Sequence, residues 1–273
     1  MSKQRAFLKW AGGKYRLVDE ISRHLPKKAC LVEPFVGAGS VFLNTDFERY
    51  LLADINPDLI NLYKTVQRDV ECYIQAARQL FSHPQANTPQ FYYEQRKRFN
   101  SSQDLQERAV LFLYLNRFGF NGLCRYNKKQ QFNVPFGDYH SHYFPEKELY
   151  FFAEKAQRAT FLCIDFDQLF SYLFENPDDY VVYCDPPYAP LVQETNFTQY
   201  AGGGFSLIQQ ETLAERAKQA ANDQIPVLIS NHDTAFTREI YQGAEISTLQ
   251  VQRNIGQKVE SRVKVTELFA LFK

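Results

Sequence analysis

Tyr180-Val181-Val182-Tyr183-Cys184-Asp185-Pro186-Pro187-Tyr188 decides the fold of this 273-residue chain. Its first five residues are apolar or β-favouring and read as a buried strand, which stops at an acid followed by two prolines. The prolines cannot continue a sheet, and they fix the backbone just past the strand's carboxyl end. Open α/β sheets keep their ligands at that place. An aspartate there accepts hydrogen bonds from an amine, and Tyr188 offers a ring to stack on a planar group. Taken alone, the nine residues also fit a strand that ends in a plain Pro-Pro turn with a solvated aspartate.

Upstream, Cys30-Leu31-Val32-Glu33-Pro34-Phe35-Val36-Gly37-Ala38-Gly39-Ser40 reads as a first strand, a Gly-x-Gly turn and a helix through Val41–Leu43. Glycines at such a turn leave no side chain between backbone and cofactor. The next strand, Tyr50–Ala53, ends at Asp54, an acid placed to bond ribose hydroxyls. A dinucleotide fold would carry a third glycine where this chain has Phe42. That departure favours S-adenosylmethionine, which has no pyrophosphate to cradle. Lys9-Trp10-Ala11-Gly12-Gly13-Lys14 resembles a shortened phosphate loop before a helix from about Tyr15 to His24, but lacks the spacing for a nucleoside triphosphate.

The remaining strands fall at Ala159–Ile164, ending at Asp165-Phe166, at Ile225–Ser230 before Asn231-His232-Asp233, and at 244–251 and 263–272 as an antiparallel pair. Gln252–Arg262 reads as a mobile loop. Asn56-Pro57-Asp58 starts a helix by capping and a first-turn proline, and residues 70 to 115 have helical periodicity around a Ser82–Thr88 loop. Asn116–Lys129 reads as a loop and β-hairpin, with Gln131–Gly137 returning the chain. Its exposed aromatics, interleaved with Arg and Lys, suit stacking on bases and gripping phosphates; an aromatic core for a helical subdomain is the other reading. The expected architecture is α/β: a Rossmann-like sheet over residues 1–60 and 145–273, interrupted by a mostly helical insertion at 61–144.

Net charge is zero, yet it is unevenly placed. Residues 1–28 and 95–131 each hold eight Lys/Arg against two acids, a net of +6, whereas 165–194 hold seven acids and no Lys or Arg. That bias is compatible with a polyanion across two basic segments and an acidic pocket for an amine-bearing group. The five cysteines show no Cys-x-x-Cys spacing, and three of them open or close strand-like runs, which suits small buried residues in a reducing cytosol. His140 and His142 lack a carboxylate or thiol to complete a metal site, so no metal is expected. No signal peptide or membrane-spanning run is expected.

The order Phe-x-Gly-x-Gly, strand-end acid, insertion, Asp-Pro-Pro-Tyr resembles the α group of S-adenosylmethionine-dependent adenine-N6 DNA methyltransferases. Arg5–Tyr15, Leu31–Asn44, Leu111–Asn127, Tyr183–Leu191 and Val227–Asp233 are similar to the bacterial DNA adenine methyltransferases, and the similarity covers nearly the whole chain. The resemblance implies methyl transfer from S-adenosylmethionine, leaving S-adenosylhomocysteine, to N6 of adenine in double-stranded GATC. It implies base flipping and direct in-line transfer, in a cytoplasmic, monomeric enzyme whose 61–144 insertion recognises DNA. A restriction-companion adenine methylase with another target, or an inactive DNA-binding regulator on the same scaffold, are the alternatives.

Residue by residue, the resemblance implies Asp185 and the Pro186 carbonyl as acceptors for the adenine amine. Pro187 would shape that turn and Tyr188 stack on the base. Trp10, Lys14, Phe35, Gly37, Gly39, Asp54, Asp165, Phe166 and Asp185 would hold the cofactor. Lys9 and Arg125 would each read a guanine, with Leu123 and Pro135 at the central base pairs. Phe120 would intercalate beside Asn121, and Asn127 and Asn133 would contact phosphates. After Gly137 the chain departs from its relatives, reading Asp138-Tyr139-His140-Ser141-His142 where they are basic.

Overall fold

The computed structural model describes residues 3–190, 205–254 and 262–273, with backbone alone for 252–254 and 262–265. It contains a seven-stranded, mostly parallel sheet in the order β3-β2-β1-β4-β5-β7-β6. The strands are β1 (Cys30–Glu33), β2 (Arg49–Ala53), β3 (Ala159–Leu162), β4 (Tyr180–Cys184), β5 (Val227–His232), β6 (Glu245–Asn254) and β7 (Arg262–Phe272). β1 pairs in parallel with β2 and with β4, and β4 with β5; β7 runs antiparallel to β5 and β6. β1 and β4 are buried along their whole length, which is why they read as continuous apolar runs and not as alternation. Strand order reverses between β1 and β4. The crevice beyond their carboxyl ends is where such a sheet binds ligands.

The chain divides into two compact units, one of Met1–Ser22, Val36–Asp46 and Asp54–Cys163, the other of Arg23–Phe35, Phe47–Ala53 and Ile164–Lys273. The first holds β3 and the helices α2 (Ser40–Asn44), α3 (Pro57–Arg68), α4 (Val70–Phe81), α5 (Pro89–Ser101), α6 (Leu105–Phe118) and α7 (Glu146–Ala156), with α1 (Val18–His24) beginning inside it. Asn56 caps α3 by accepting from the Asp58 and Leu59 amides, with Pro57 in the first turn. Such a cap stabilises by about 1 kcal/mol. Thr88 and Asp104 start α5 and α6 in the same way. α6 is buried nearly all round, from Leu111 to Asn116 and at Phe118, so it has no polar stripe to advertise its extent.

The second unit carries α8 (Phe166–Glu175), α9 (Leu207–Asn222) and α10 (Ala235–Ile240). Capping boxes at Asp165, Ser206 and Thr234 fix where each begins.

Several elements differ from expectation. Asn116, Arg117 and Phe118 end α6 and do not open a hairpin. The pairing that follows is two isolated bridges, Gly119 with Phe136 and Tyr126 with Phe132. Tertiary burial carries the helix on through a stretch whose composition suggests a loop. Tyr15–Leu17 form a turn, and α1 starts at Val18. β5 runs on to His232 because β7 supplies partners for Ser230, Asn231 and His232. Of the cysteines in strand-like runs, Cys30 and Cys184 are buried but Cys163 is exposed. Of the expected Gln252–Arg262 loop, residues 252–254 and 262 belong to strands and 255–261 lie outside the described residues.

Candidate active site

In the first unit the glycine turn bends under Trp10. Gly37 and Gly39 have φ of +47° and +71°, and a Cβ at Gly37 would lie 2.9 Å from Trp10 Nε1. Any side chain there would displace the indole. Asp54 follows β2, and its Oδ2 accepts from the Gly37 amide at 3.1 Å while Oδ1 accepts from the Asn56 amide at 2.9 Å. Burial pushes the Asp54 carboxyl above the usual range, against the pull of these amide donors. Beside it Ile55 is 75% exposed, an apolar surface that sequence reasoning passed over. Lys14 is buried and donates to the Gly12 carbonyl at 3.1 Å. Trp10, Gly37, Gly39 and Asp54 therefore share one corner.

In the second unit β4 ends at Asp185. The Ser230 hydroxyl, from β5, lies 3.1 Å from Asp185 Oδ1 and 3.0 Å from the Tyr183 hydroxyl. That chain orients the carboxylate. The following loop is held as firmly: Gln210 donates to the Pro187 carbonyl at 2.7 Å, and the Ala189 amide donates to Asn231 at 3.0 Å. Asn231 in turn donates to Gln210 and to the Tyr241 hydroxyl, both at 2.9 Å. The Tyr188 hydroxyl donates to buried Glu267 at 2.9 Å and its ring meets His232 edge-on. Burial and the neighbouring Asp185 raise its phenol well above the ordinary range, so it stays neutral. Phe35 stacks on Phe166 at 5.6 Å, and Phe205 meets both rings. Asp165 caps α8, its Oδ1 accepting from the Gln168 amide at 2.9 Å.

Ser230, Gln210, Asn231, Glu267 and Phe205 were not foreseen. Ser230-Asn231-His232 does close a recognisable strand, but the partnership of Ser230 with Asp185 arises only from parallel pairing of β4 with β5.

The residues expected to read DNA gather in the first unit. Asn116, buried at the end of α6, accepts from the Lys9 amide at 2.9 Å and donates to the Lys9 and Gly122 carbonyls at 2.7 and 3.1 Å. Lys9 Nζ sits 4.1 Å from the Tyr139 ring centroid, and the Tyr139 hydroxyl accepts from the Asn121 amide at 2.6 Å. Burial and nearby Arg117 lower the Lys9 ammonium. Phe120 is exposed while Phe118 and Phe132 are core, so this aromatic stretch is divided between surface and interior. The Phe120 amide donates to the exposed Pro135 at its carbonyl, and the half-buried Leu123 closes the same turn.

Arg125 is exposed, and its Nε donates to Asn133 Oδ1 at 2.8 Å. Asn133 here steadies Arg125. Asn127 Oδ1 accepts from the Lys129 and Gln131 amides at 2.9 and 3.1 Å and so shapes a turn. Among the described residues no three His, Cys, Asp or Glu group as a metal site, and no described helix is long and apolar enough to cross a membrane.

His142 lies flat on Phe118, ring centroids 3.7 Å apart. Burial, with Lys9 adding to it, lowers its imidazolium from 6.5 to about 4. A depressed folded value means the unfolded chain binds the proton more readily, so stability is lost as pH falls from 6.5 through 4. His142→Phe keeps the stack and removes the titration. Urea denaturation at pH 7 and pH 5 should show a smaller acid loss in the variant; parallel losses would remove His142 from the account.

Residues 10–255 match the family described as D12 class N6 adenine-specific DNA methyltransferase. A DNA adenine methylase of Haemophilus influenzae is 61% identical over 99% of this chain and 94% of the relative. Those of Escherichia coli K12 and Vibrio cholerae are 59% and 58% identical, each over 100% of this chain and 97% of the relative.

Proposed function

Since the chain belongs to the D12 class of N6 adenine-specific DNA methyltransferases, whose methyl donor is S-adenosylmethionine, we propose that its target is the adenine of double-stranded GATC, flipped out of the duplex. The observation that carries the chemistry is the Asp185 carboxylate, set just past buried β4 at the switch point of the sheet and oriented by Ser230.

The adenine amino nitrogen is a weak nucleophile because its lone pair is delocalised into the ring. Asp185 and the Pro186 carbonyl accept its N–H groups and so favour the tetrahedral nitrogen of the transition state. Their positions are set before substrate arrives, because Gln210 and Asn231 pin the Pro187–Ala189 backbone. Tyr188 offers its ring to the flipped base while Glu267 holds the hydroxyl. The bound cofactor supplies an electrophilic methyl group on a sulfonium. Asp54, with its two backbone donors and the exposed Ile55 beside it, fits a ribose and the adjoining face of an adenine. Trp10, Lys14, Phe35, Gly37 and Gly39 would line the same group, Asp165 and Phe166 its adenine end, and Asp185 its amine.

For DNA, residues 61–144 form the target-recognition domain in this reading. Arg125 and Lys9 read the guanines, Leu123 and Pro135 the central pairs, and Phe120 wedges beside Asn121, with Asn127 and Asn133 near phosphates. The stretches Leu111–Asn127 and Tyr183–Leu191 support the GATC assignment by their resemblance to GATC enzymes. A monomeric, cytoplasmic protein goes with it.

The test supplies methyl-labelled S-adenosylmethionine to two duplexes that differ only as GATC and GTTC. Label confined to the GATC duplex, recovered as N6-methyladenine, is expected; equal label on both would discard the target while keeping the reaction. Ser230→Ala should slow turnover about tenfold, the equivalent of one hydrogen bond to a charged group, with KM for the duplex unchanged. A raised KM at normal kcat would make Ser230 a binding residue instead.

A further inference from the structure

The hairpin that carries Arg125 is fastened to the start of α3 by the two residues on either side of it. Tyr126 donates its hydroxyl to Asp58 Oδ2 at 2.6 Å. Asn56 Nδ2 donates to Cys124 Sγ at 3.3 Å. Side chains alternate along extended backbone, so Cys124 and Tyr126 face one way, half-buried, while Arg125 faces the other, exposed. One face of this strand-like segment is an anchor and the other is free to read.

Asp58 has more than it needs for burial alone. Its Oδ1 takes Arg108 Nε and Nη2 at 3.0 and 2.6 Å, which balances the charge, and Arg108 Nη1 goes on to the Phe99 and Ser102 carbonyls. The second oxygen is the one that reaches the hairpin. The same helix start also faces the cofactor corner: the Asn56 amide donates to Asp54 Oδ1, Asp54 Oδ2 accepts from Gly37, and the Asn56 side chain both caps α3 and holds Cys124. Three consecutive links, Gly37–Asp54–Asn56–Cys124, join the glycine turn to the segment around Arg125, and Asp58–Tyr126 is a parallel fourth.

We propose that Tyr126 and Asp58 are positioning residues that hold the Arg125 segment to the amino end of α3, so that occupancy at Asp54 and base reading at Arg125 bias one another. The inference rests on the assignment of Arg125 as a guanine reader. Tyr126 also packs edge-on against Phe132 at 5.7 Å, so a purely structural role predicts that a phenyl ring suffices. Tyr126→Phe separates the two roles because it keeps the ring and removes only the hydroxyl.

Two quantities are measured on the full chain. The first is the ratio of kcat/KM on GATC to that on a duplex altered at the Arg125 guanine. The second is the tightening of S-adenosylhomocysteine binding caused by the GATC duplex, which must be matched by an equal effect of the product on duplex affinity. In Tyr126→Phe both ratios are expected to fall at least fivefold, with kcat on saturating GATC within threefold of the parent. Wild-type values of both ratios in the variant, or no tightening in the parent itself, would overturn the proposal. A fall in discrimination with tightening unchanged would also overturn the link to the cofactor.

Arg125→Ala, run alongside, keeps the two levels apart. If it leaves discrimination intact, the base-reading assignment fails and this proposal with it. If it lowers discrimination while Tyr126→Phe does not, only the proposal fails. Should Tyr126→Phe unfold at the assay temperature, Cys124→Ala breaks the parallel link from Asn56, and the same fall in tightening supports the proposal while an unchanged value overturns it.

Discussion

Asp185→Ala is expected to lower methyl transfer to GATC duplex by at least about a hundredfold to a thousandfold, the scale on which a group aimed at developing charge contributes. The protein should still fold. Asp185 stands past the last buried residue of β4, and the strand's pairing with β1 and β5 involves Cys30 to Val32 and Val227 to Ile229, not the carboxylate. Ser230 keeps the Tyr183 hydroxyl and the Cys184 carbonyl as partners when Asp185 is shortened. Duplex affinity should therefore persist, because the proposed readers lie elsewhere in the chain, on Lys9 and the 120–135 segment. Turnover within tenfold of the parent would sink the assigned role.

Asp185→Asn sharpens the point. The amide keeps the shape and an oxygen that can face Ser230, but places an N–H₂ donor where the adenine amine needs an acceptor. If acceptor character is what activates the nitrogen, the amide variant should be nearly as slow as the alanine variant. An amide that works well would mean that Asp185 chiefly fills space.

The path from residues to site explains which of these features could be read in advance. Asp185 and Asp54 were legible because each ends an apolar run, and a strand end needs nothing beyond local sequence to be recognised. The Asn56 cap was legible for the same reason. Ser230 and Glu267 were not, since each meets its partner across strands: Ser230 through β5 beside β4, and Glu267 through the antiparallel return of β7 opposite His232. Asn133 shows a subtler limit. A polar residue beside basic ones reads equally as a phosphate contact or a brace, and its bond to Arg125 Nε favours the brace. Asn116 was hidden by its neighbourhood, where Gly119, Asn121 and Gly122 suggest loop while packing extends α6 to Phe118.

Gly122→Ala should be the most damaging small substitution in the segment proposed to read DNA. Gly122 has φ of +61°, the left-handed region, and a Cβ added there would stand 2.2 Å from Lys9 Cβ and 2.9 Å from Lys9 Cδ. The nearest atom belongs to the root of the lysine, so rotating the side chain cannot relieve it. Nor can either backbone yield cheaply, because Asn116 bonds both the Lys9 and the Gly122 carbonyls. Left-handed strain of about 1–2 kcal/mol and overpacking of about 1–3 kcal/mol together predict roughly 2–5 kcal/mol of lost stability. Gly12→Ala is the control, since Gly12 has φ of +75° and an added Cβ there meets nothing within 4 Å; it should lose the strain alone. Urea denaturation of the two variants isolates the clash, and equal losses would mean that the Lys9 backbone moves aside freely. The same displacement should cost Gly122→Ala its selectivity for the guanine assigned to Lys9. If it is destabilised by the larger amount yet still selects that guanine, Lys9 is not the reader, and the amino-terminal lysine is held in place for another purpose.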